Sequence, residues 1–385
     1  MRLAERMSRL GTETAFEVLA KAKALEAAGK KIIHLEIGEP DFDTPEHIKE
    51  AAIKALRDGK TGYCPAAGIK ELREAIAADV GARRGLSVSP EEVVVTPGAK
   101  PIMYFVITAL VDPGDEVLYP NPGFPIYESV IEFVGGKAVP IPLREERNFS
   151  FDVDEFRSLV TDKTKLIILN SPQNPTGGVL SRQDLEVIAE VATARDIFVL
   201  SDEVYNNILY EGSFVSIATL PGMRDRTVIL DGLSKTYAMT GWRLGYGVMP
   251  KELARQVERL TINTVSCTSH FSQYGAIAAI NGPQEPVAAM VAEFRRRRDY
   301  IVEALNKIEG VKCVKPQGAF YAFPNITGTG FSSKELERRL LEEAGVATLS
   351  GTAFGKYGDG YLRLSYANSL ENIKAALERF AALVS

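Results

Sequence analysis

The sequence predicts an α/β fold in which a large domain with a mainly parallel sheet carries a smaller α+β domain. The chain has 385 residues, enough for one large buried core and a second lobe. Between residues 92 and 231, short strands alternate with helices, a pattern typical of β-α units with helices on both sheet faces. The strands are continuous apolar runs, as expected for parallel strands buried on both sides.

The residues before this alternation predict helices around one short strand. Apolar residues recur at helical spacing over 14–28, and a strand precedes Gly38. Thr44 stands before Pro45, so we expect Thr44 to be the N-cap of a helix over 46–57, with the proline at its first position.

The alternating region and the tail divide the chain into two predicted domains. Strands are expected at 92–96, 116–120, 137–142, 164–170, 197–203 and 227–231. After Gly247 the pattern is mostly helical, and one long helix is predicted over 285–308. We interpret its basic run, Arg295 to Arg298, as a solvated face. The domain boundary is placed in this helix, with 46–290 as the large domain and 1–45 plus 291–385 as the N-terminal arm and small domain.

Composition argues against several kinds of protein. The net charge is −5, which disfavours binding to nucleic acid through bulk charge. Three scattered cysteines and three scattered histidines form neither a disulfide framework nor a metal-binding spacing. No apolar run is long enough to span a membrane. We therefore expect a cytoplasmic protein without a metal and without nucleic-acid or membrane partners.

Chemically useful residues follow five of the predicted strands. In an open parallel sheet, ligands bind beyond the carboxyl ends of the strands. The residues found there are Ala99 and Lys100 at a helix start, Phe124 in a loop, Asn174 in an Asn-Pro-Thr-Gly turn, Asp202 with Tyr205, and Ser234 with Lys235 and Arg243. Each has an ordinary explanation when taken alone: a strand-to-helix turn, a packing aromatic, a tight turn, or a surface charge.

Taken together, these side chains meet the requirements of pyridoxal phosphate. A helix N-terminus can hold the phosphate, and an aromatic residue can stack on a planar ring. An amine can form a Schiff base, and a carboxylate can keep the pyridine nitrogen protonated. The sequence therefore predicts a pyridoxal-phosphate enzyme.

The same segments resemble the class I/II aminotransferases of the aspartate aminotransferase family, which have fold type I. The resemblance is carried by LEIGEPDFDTP, TGYCPAAGIKELREAIA, VVVTPGAKPIMY, NSPQNPTGGV, LSDEVY, DGLSKTYAMTGWRLGYG and YLRLSYA. These segments run from about residue 30 to the end, and the lysine and Asn-Pro-Thr-Gly segments are the specific ones. The resemblance implies transfer of an α-amino group from an L-amino acid to a 2-oxo acid by a ping-pong mechanism.

The resemblance also implies a catalytic set around the cofactor. Lys235 is implied to be the Schiff-base lysine and the proton carrier. Asp202 is implied to pair with the pyridine nitrogen. Asn174 and Tyr205 are implied to hydrogen-bond the phenolic oxygen, and the peptide bond from Asn174 to Pro175 is expected to be cis, as in the family.

Further residues are implied to bind the phosphate and the pyridine ring. Ser234, Arg243 and the backbone at Ala99 and Lys100 are implied to hold the phosphate, and Phe124 stands where the family keeps an aromatic residue over the ring.

The remaining implied roles concern the substrate and a second subunit. Arg363 is implied to bind the substrate α-carboxylate, with Asn174 beside it and Gly38 on the substrate side. Tyr63 resembles a residue that reaches the phosphate in the neighbouring subunit, so a homodimer with shared sites is implied.

Two alternatives and the choice of substrate stay open at this point. A β-lyase, decarboxylase or cyclase could use the same scaffold, and a non-catalytic cofactor-binding regulator is a remoter possibility. Enzymes of the family that act on dicarboxylates usually add a second basic residue, yet no Lys or Arg occurs between Gly11 and Ala20, nor over 262–275. We therefore expect an aromatic or neutral substrate, or a broad range that includes aspartate, with 2-oxoglutarate as a possible acceptor.

Overall fold

A computed structural model describes residues 2–385 and contains thirteen strands and thirteen α-helices over that range. The strands are β1 (Ile33–His34), β2 (Val93–Thr96), β3 (Glu116–Asn121), β4 (Lys137–Arg144), β5 (Ser150–Phe151), β6 (Thr164–Asn170), β7 (Phe198–Asp202), β8 (Thr227–Gly232), β9 (Gly245–Val248), β10 (Tyr321–Ala322), β11 (Val346–Ala347), β12 (Leu349–Ser350) and β13 (Leu362–Ser365). The helices are α1 (Thr14–Ala27), α2 (Glu46–Arg57), α3 (Lys70–Arg84), α4 (Lys100–Leu110), α5 (Ile126–Val134), α6 (Val153–Leu159), α7 (Arg182–Ala194), α8 (Leu233–Thr236), α9 (Lys251–Thr264), α10 (His270–Asn281), α11 (Glu285–Leu305), α12 (Ser333–Arg339) and α13 (Leu370–Val384).

Eight strands form one sheet in the order β2-β9-β8-β7-β6-β3-β4-β5. The neighbours from β8 through β4 pair in parallel, whereas β9 is antiparallel to both β2 and β8, and β5 is antiparallel to β4. Because β9 reverses direction between them, β2 and β8 run the same way, and their carboxyl ends lie at the same edge as those of β3, β6 and β7. The predicted α/β class is confirmed.

Both faces of the sheet are covered by helices. Successive strand residues point to opposite faces, so Leu166 and Ile168 of β6 pack in the core with α4, α5 and α9, while Ile167 packs with α6 and α7. All three side chains are fully buried. This explains why the strand is apolar throughout instead of alternating with polar residues.

The sequence analysis missed β9, which is short and glycine-rich. Its pattern carries little side-chain signal, since two of its four residues are Gly245 and Gly247. A side chain at residue 245 would overlap the backbone of Gly98 and Ala99, which lie in the turn between β2 and α4. This strand therefore depends on close packing of backbone against backbone, and the apolar pattern of a sequence does not show such packing.

The first strand joins the C-terminal part of the chain. Ile33 pairs with Val346 in a parallel ladder between β1 and β11, and a three-stranded sheet, β10-β13-β12, lies beyond them. Ile33 and Leu35 share a core with residues of α11 and α13. This arrangement carries the segment after β1 to the edge of the large sheet.

Two local predictions are corrected by the structure. Helix α2 begins at Glu46 with Pro45 as its N-cap, and the Thr44 hydroxyl instead donates a hydrogen bond of 2.6 Å to the Ala238 carbonyl. Thr44 therefore ties this segment to the loop after α8 and does not cap the helix.

The basic run of α11 is a solvated face only in part, since Arg295 and Arg296 are exposed but the other two arginines are not. Arg297 and Arg298 are buried at 7% and 2% exposure. Arg297 pairs with Asp41 at 2.7 Å, and the Arg298 guanidinium lies 4.6 Å from the centre of the Tyr210 ring. Because consecutive helical residues point about 100° apart, two of the four arginines turn inwards. There they form ion pairs with carboxylates and contact aromatic rings.

No helix in residues 2–385 combines the length and the apolar character needed to cross a membrane.

Candidate active site

A cavity of about 510 Å³ lies at the carboxyl edge of the large sheet. Eleven of the predicted site residues line it: Gly38, Ala99, Lys100, Phe124, Asn174, Asp202, Tyr205, Ser234, Lys235, Arg243 and Arg363. The twelfth, Tyr63, is not among its lining residues and is 92% exposed. The topology brings these side chains together because the ends of β2, β3, β6, β7 and β8 share one edge, while the segment after β1 and the strand β13 cover it.

Lys235 lies in the single turn of helix, α8, that follows strand β8. Its ammonium donates a hydrogen bond of 2.6 Å to the Gly38 carbonyl. Burial lowers the pKa of Lys235 to about 8; the positive charges of Arg363 and Arg243 add to this effect, and Glu39 opposes it. The amine is therefore available in its neutral, nucleophilic form near neutral pH.

Asp202 ends β7 at the floor of the cavity. Burial raises its pKa to about 7, helped by the nearby acids Asp231 and Glu203. The hydroxyl of Tyr127 donates a hydrogen bond of 2.5 Å to it, which acts in the opposite direction and favours the carboxylate. None of the ion pairs found in residues 2–385 involves Asp202. A buried carboxylate of this kind needs a positive partner, and a protonated ring nitrogen would supply one.

An anion cradle lies where β2 passes into α4. The helix begins at Lys100 with Ala99 as its N-cap, so its first N–H groups face the cavity edge. A side chain at Gly98 would overlap the guanidinium of Arg243, and Gly98 has a φ of +88°. Arg243 is itself positioned by a hydrogen bond of 2.8 Å to the Thr240 carbonyl. N–H groups and a guanidinium on one concave surface fit a phosphate.

Asn174 and Tyr205 stand beside Asp202. The peptide bond between Asn174 and Pro175 is cis, as expected from the family resemblance. The Asn174 N–H donates to the Asn170 side chain at 2.9 Å, and its side-chain oxygen accepts a hydrogen bond of 3.0 Å from Arg363. The hydroxyls of Tyr205 and Tyr321 lie 2.7 Å apart, and burial raises the pKa of Tyr205 well above its usual value.

Arg363 is buried at the substrate side of the cavity, with 4% exposure, and is not part of a surface ion pair. Its guanidinium donates to the Glu36 carbonyl and lies 4.6 Å from the centre of the Tyr321 ring. Its Nε–H has no partner in the described chain. A buried guanidinium with an unsatisfied donor suits a carboxylate ligand.

Gly38 and Phe124 shape two walls of the cavity. A side chain at residue 38 would overlap the Tyr321 hydroxyl, so only glycine lets the chain pass this ring while offering its carbonyl to Lys235. Phe124 contacts Tyr127 edge-on, with ring centres 5.6 Å apart.

Among the lining residues that the sequence analysis did not assign to the site are Glu13, Glu39, Tyr127 and Tyr321. Tyr127 could have been found, because it follows Phe124 by three residues at the start of a helix, where such residues share a face. Glu13 and Tyr321 come from parts of the chain remote from the strand ends, and no local pattern marks them.

The residues present fit pyridoxal phosphate. They provide a partly buried amine, a buried carboxylate outside any ion pair, an anion cradle and a guanidinium with a free donor, all lining one cavity. No group of three or more His, Cys, Asp or Glu side chains in residues 2–385 is arranged to hold a metal ion.

The sequence and the fold match one family. The model for aminotransferases of class I and II matches residues 30–380. The chain is 44% identical to an aspartate aminotransferase of Pyrococcus abyssi, over 92% of each chain, and 41% identical to aromatic-amino-acid aminotransferase 2 of Thermococcus litoralis, over 98% of this chain and 97% of that one. Its fold superimposes on that of the Thermus thermophilus aspartate aminotransferase with maleate, with a TM-score of 0.94 and 40% identity over the whole of both chains.

The chain belongs to the class I and II aminotransferases, a family of pyridoxal-phosphate-dependent enzymes. It is an amino-acid aminotransferase, as the sequence analysis predicted.

Proposed function

We propose that this enzyme moves the α-amino group of an L-amino acid with a neutral, aromatic or acidic side chain to a 2-oxo acid, with pyridoxal phosphate held in the cavity. The observation that carries the proposal is the meeting of Lys235, Asp202 and Arg363 around one cavity. Amino-group transfer on this cofactor needs an amine to bond it and move protons, a carboxylate to face its ring nitrogen, and a guanidinium to hold the substrate carboxylate.

The cofactor would be held at both ends. In this proposal Ser234, Arg243 and the backbone at Ala99 and Lys100 bind its phosphate. Phe124 covers the ring.

Other side chains would contact the nitrogen and the phenolic oxygen of the cofactor ring. Asp202 pairs with the ring nitrogen, and its hydrogen bond from Tyr127 supports the ionised form that this requires. Asn174 and Tyr205 donate to the phenolic oxygen.

Arg363 would bind the substrate. Its planar guanidinium can meet the α-carboxylate through two parallel hydrogen bonds, a geometry that lysine cannot reproduce. When bound, the cofactor supplies an electron sink for the pair of electrons left at Cα. Lys235 would then move the proton from Cα of the substrate to C4′ of the cofactor, serving first as base and then as acid. Its lowered pKa supports this double role.

The range of substrates is inferred from the charges around the cavity. Apart from Arg363, Arg243 and Lys235, Lys100 is the cation among the described lining residues. Apolar side chains such as Phe16, Phe124 and Phe354 form much of the remaining wall. We expect aromatic and neutral side chains to be favoured and acidic ones to be accepted, with 2-oxoglutarate as the acceptor.

We also propose a cytoplasmic homodimer with shared sites. The ring of Tyr63 is almost fully exposed on the loop after α2 and would reach the phosphate in the partner's cavity. The two domains would be 46–290, and 1–45 with 291–385, divided within α11. Three free thiols fit a reducing compartment.

An absorbance titration of the purified holoenzyme tests the proposal. Each amino acid is added without an acceptor, and the amounts of aminated cofactor and of keto acid formed per site are measured. A transaminase gives one keto acid per site. We expect Lys235→Ala to fold normally and to lose about 10²–10⁴-fold or more in rate, whereas Lys165→Ala, at an exposed position, should behave as wild type. Full activity in Lys235→Ala would overturn the assignment.

A further inference from the structure

An ion pair crosses the rim of the cavity between two distant segments. Glu13 precedes α1, and its carboxylate accepts a hydrogen bond from the ammonium of Lys100 at the start of α4. The Lys100 ammonium also lies 5.3 Å from the centre of the Phe124 ring. The Glu13 side chain is 17% exposed and that of Lys100 is 49% exposed, so the carboxylate is the more enclosed partner.

The other cations of the cavity have different neighbours. Arg363 is bound to Asn174 and Glu36, Arg243 to the Thr240 carbonyl, and Lys235 to the Gly38 carbonyl. Lys100 is therefore the cation of the cavity that could bind a carboxylate on a substrate side chain. In this structure its ammonium is already paired with the carboxylate of Glu13.

We propose that Glu13 and Lys100 form an exchangeable ion pair that sets the side-chain selectivity of the enzyme. Neutral and aromatic side chains bind against the intact pair. An acidic side chain binds Lys100 only by displacing the carboxylate of Glu13. This inference rests on the proposed function and specifies how the same cavity chooses its substrate.

The physical chemistry of the ion pair explains why acidic substrates would bind less well and why neutral substrates would bind without disturbing it. A carboxylate tethered within the protein competes at a high effective concentration, so it weakens binding of every acidic side chain. Like charges brought together at the rim add to the discrimination. However, Lys100 is half exposed, and ion pairs at such positions are weak. Acidic substrates are consequently disfavoured without being excluded, and neutral substrates meet a pair with no net charge.

The test replaces Glu13 and compares two classes of ligand on the holoenzyme. In Glu13→Gln, the ratio of kcat/KM for aspartate to that for phenylalanine should rise about two- to fivefold. The Kd of maleate should fall by a similar factor relative to that of 3-phenylpropionate, which is measured by titration without turnover. Glu17→Gln, one turn further along α1 on an exposed position, is the matched control and should leave both ratios unchanged.

A double-mutant cycle separates exchange at Lys100 from simple repulsion by Glu13. Lys100→Met should weaken maleate binding, and adding Glu13→Gln to it should no longer improve binding, because no cation remains to be released. The proposal is overturned if the two ratios in Glu13→Gln stay within twofold of wild type. It is also overturned if the gain persists fully in the Lys100→Met background. By contrast, if no amino acid aminates the cofactor in wild type, the proposed function fails, and this inference fails with it.

Discussion

At the scale of single residues, the cavity shifts the pKa values of two ionisable groups towards neutrality. Lys235 is a lysine enclosed among other cations, so its pKa is lowered and its neutral form is easier to reach than in water. Asp202 is a carboxylate buried without a cation, so its protonated form is favoured. Each shift disfavours the charged form in the protein alone, and each would be relieved by a cofactor that reacts with the amine and offers a protonated nitrogen to the acid.

The lowered pKa of Lys235 predicts when the cofactor-free enzyme will take up pyridoxal phosphate. Only the neutral amine attacks an aldehyde, so the second-order uptake rate should rise with pH and level off above a midpoint near 8. With an ordinary lysine, whose pKa is about 10.4, the uptake rate would still be rising at that pH. Stopped-flow absorbance from pH 6 to 10 measures this, and a midpoint above 10 would contradict the buried environment.

The hydrogen bond from Tyr127 predicts a second pH effect. Tyr127→Phe removes the donor that favours ionised Asp202, so the pKa of Asp202 should rise further. The acid limb of the kcat/KM profile should then move to higher pH, and activity at neutral pH should fall about 10- to 100-fold, as expected for a buried hydrogen bond to a charged group. Tyr104→Phe, on the neighbouring helix α4, is the control. An unmoved acid limb would mean that the hydroxyl does not act through Asp202.

At the scale of elements, the turn between β2 and α4 is determined by how closely other chain segments approach it. Gly98 has no room for a side chain beside Arg243, and Gly245 has none beside Ala99. These two glycines let a strand, a helix start and a guanidinium converge on the volume where the phosphate is proposed to bind.

We therefore predict that Gly98→Ala displaces Arg243 and weakens pyridoxal-phosphate binding by at least about tenfold. Gly29→Ala is a matched control, because Gly29 has a φ of +90° and open space around it, against +88° at Gly98. Both variants should lose about 1–2 kcal/mol of stability to backbone strain. Only Gly98→Ala should release the cofactor during dialysis, and equal cofactor retention in the two variants would contradict the cradle.

At the scale of the whole molecule, the enzyme is predicted to need two chains. Tyr63 lies outside the cavity of its own chain and is among the most exposed large side chains described. If it completes the partner's site, inactive Lys235→Ala and impaired Tyr63→Ala chains should complement each other. A mixed dimer has one site with both native residues, so an equimolar, re-equilibrated mixture should regain about a quarter of native activity.

The complementation is measured after the variants are exchanged by mild denaturation and refolding, with each variant treated alone as the control. Activity no greater than the average of the two variants would show that Tyr63 serves its own chain or no site at all.

Much of the architecture could be predicted from the sequence because the signals are local. Strand β6 and helix α2 have the predicted bounds, since apolar runs and periodicity depend on neighbouring residues. Eleven of the twelve predicted site residues line the cavity for a related reason: the topology of a parallel sheet gathers its strand ends. Strand β9 and the inward-facing Arg297 and Arg298 could not be predicted, because contacts with remote segments decide them.

The sequence by itself determined the α/β class, the amine, the acid and the anion cradle, because these are encoded by residue type at the ends of recognisable strands. Only the tertiary structure decided what surrounds them. It placed Tyr127 on Asp202, left Asp202 without a cation, and set Glu13 against Lys100, two residues 87 positions apart in the chain. Protonation states and selectivity depend on distance and burial, and a linear sequence specifies neither until the chain has folded.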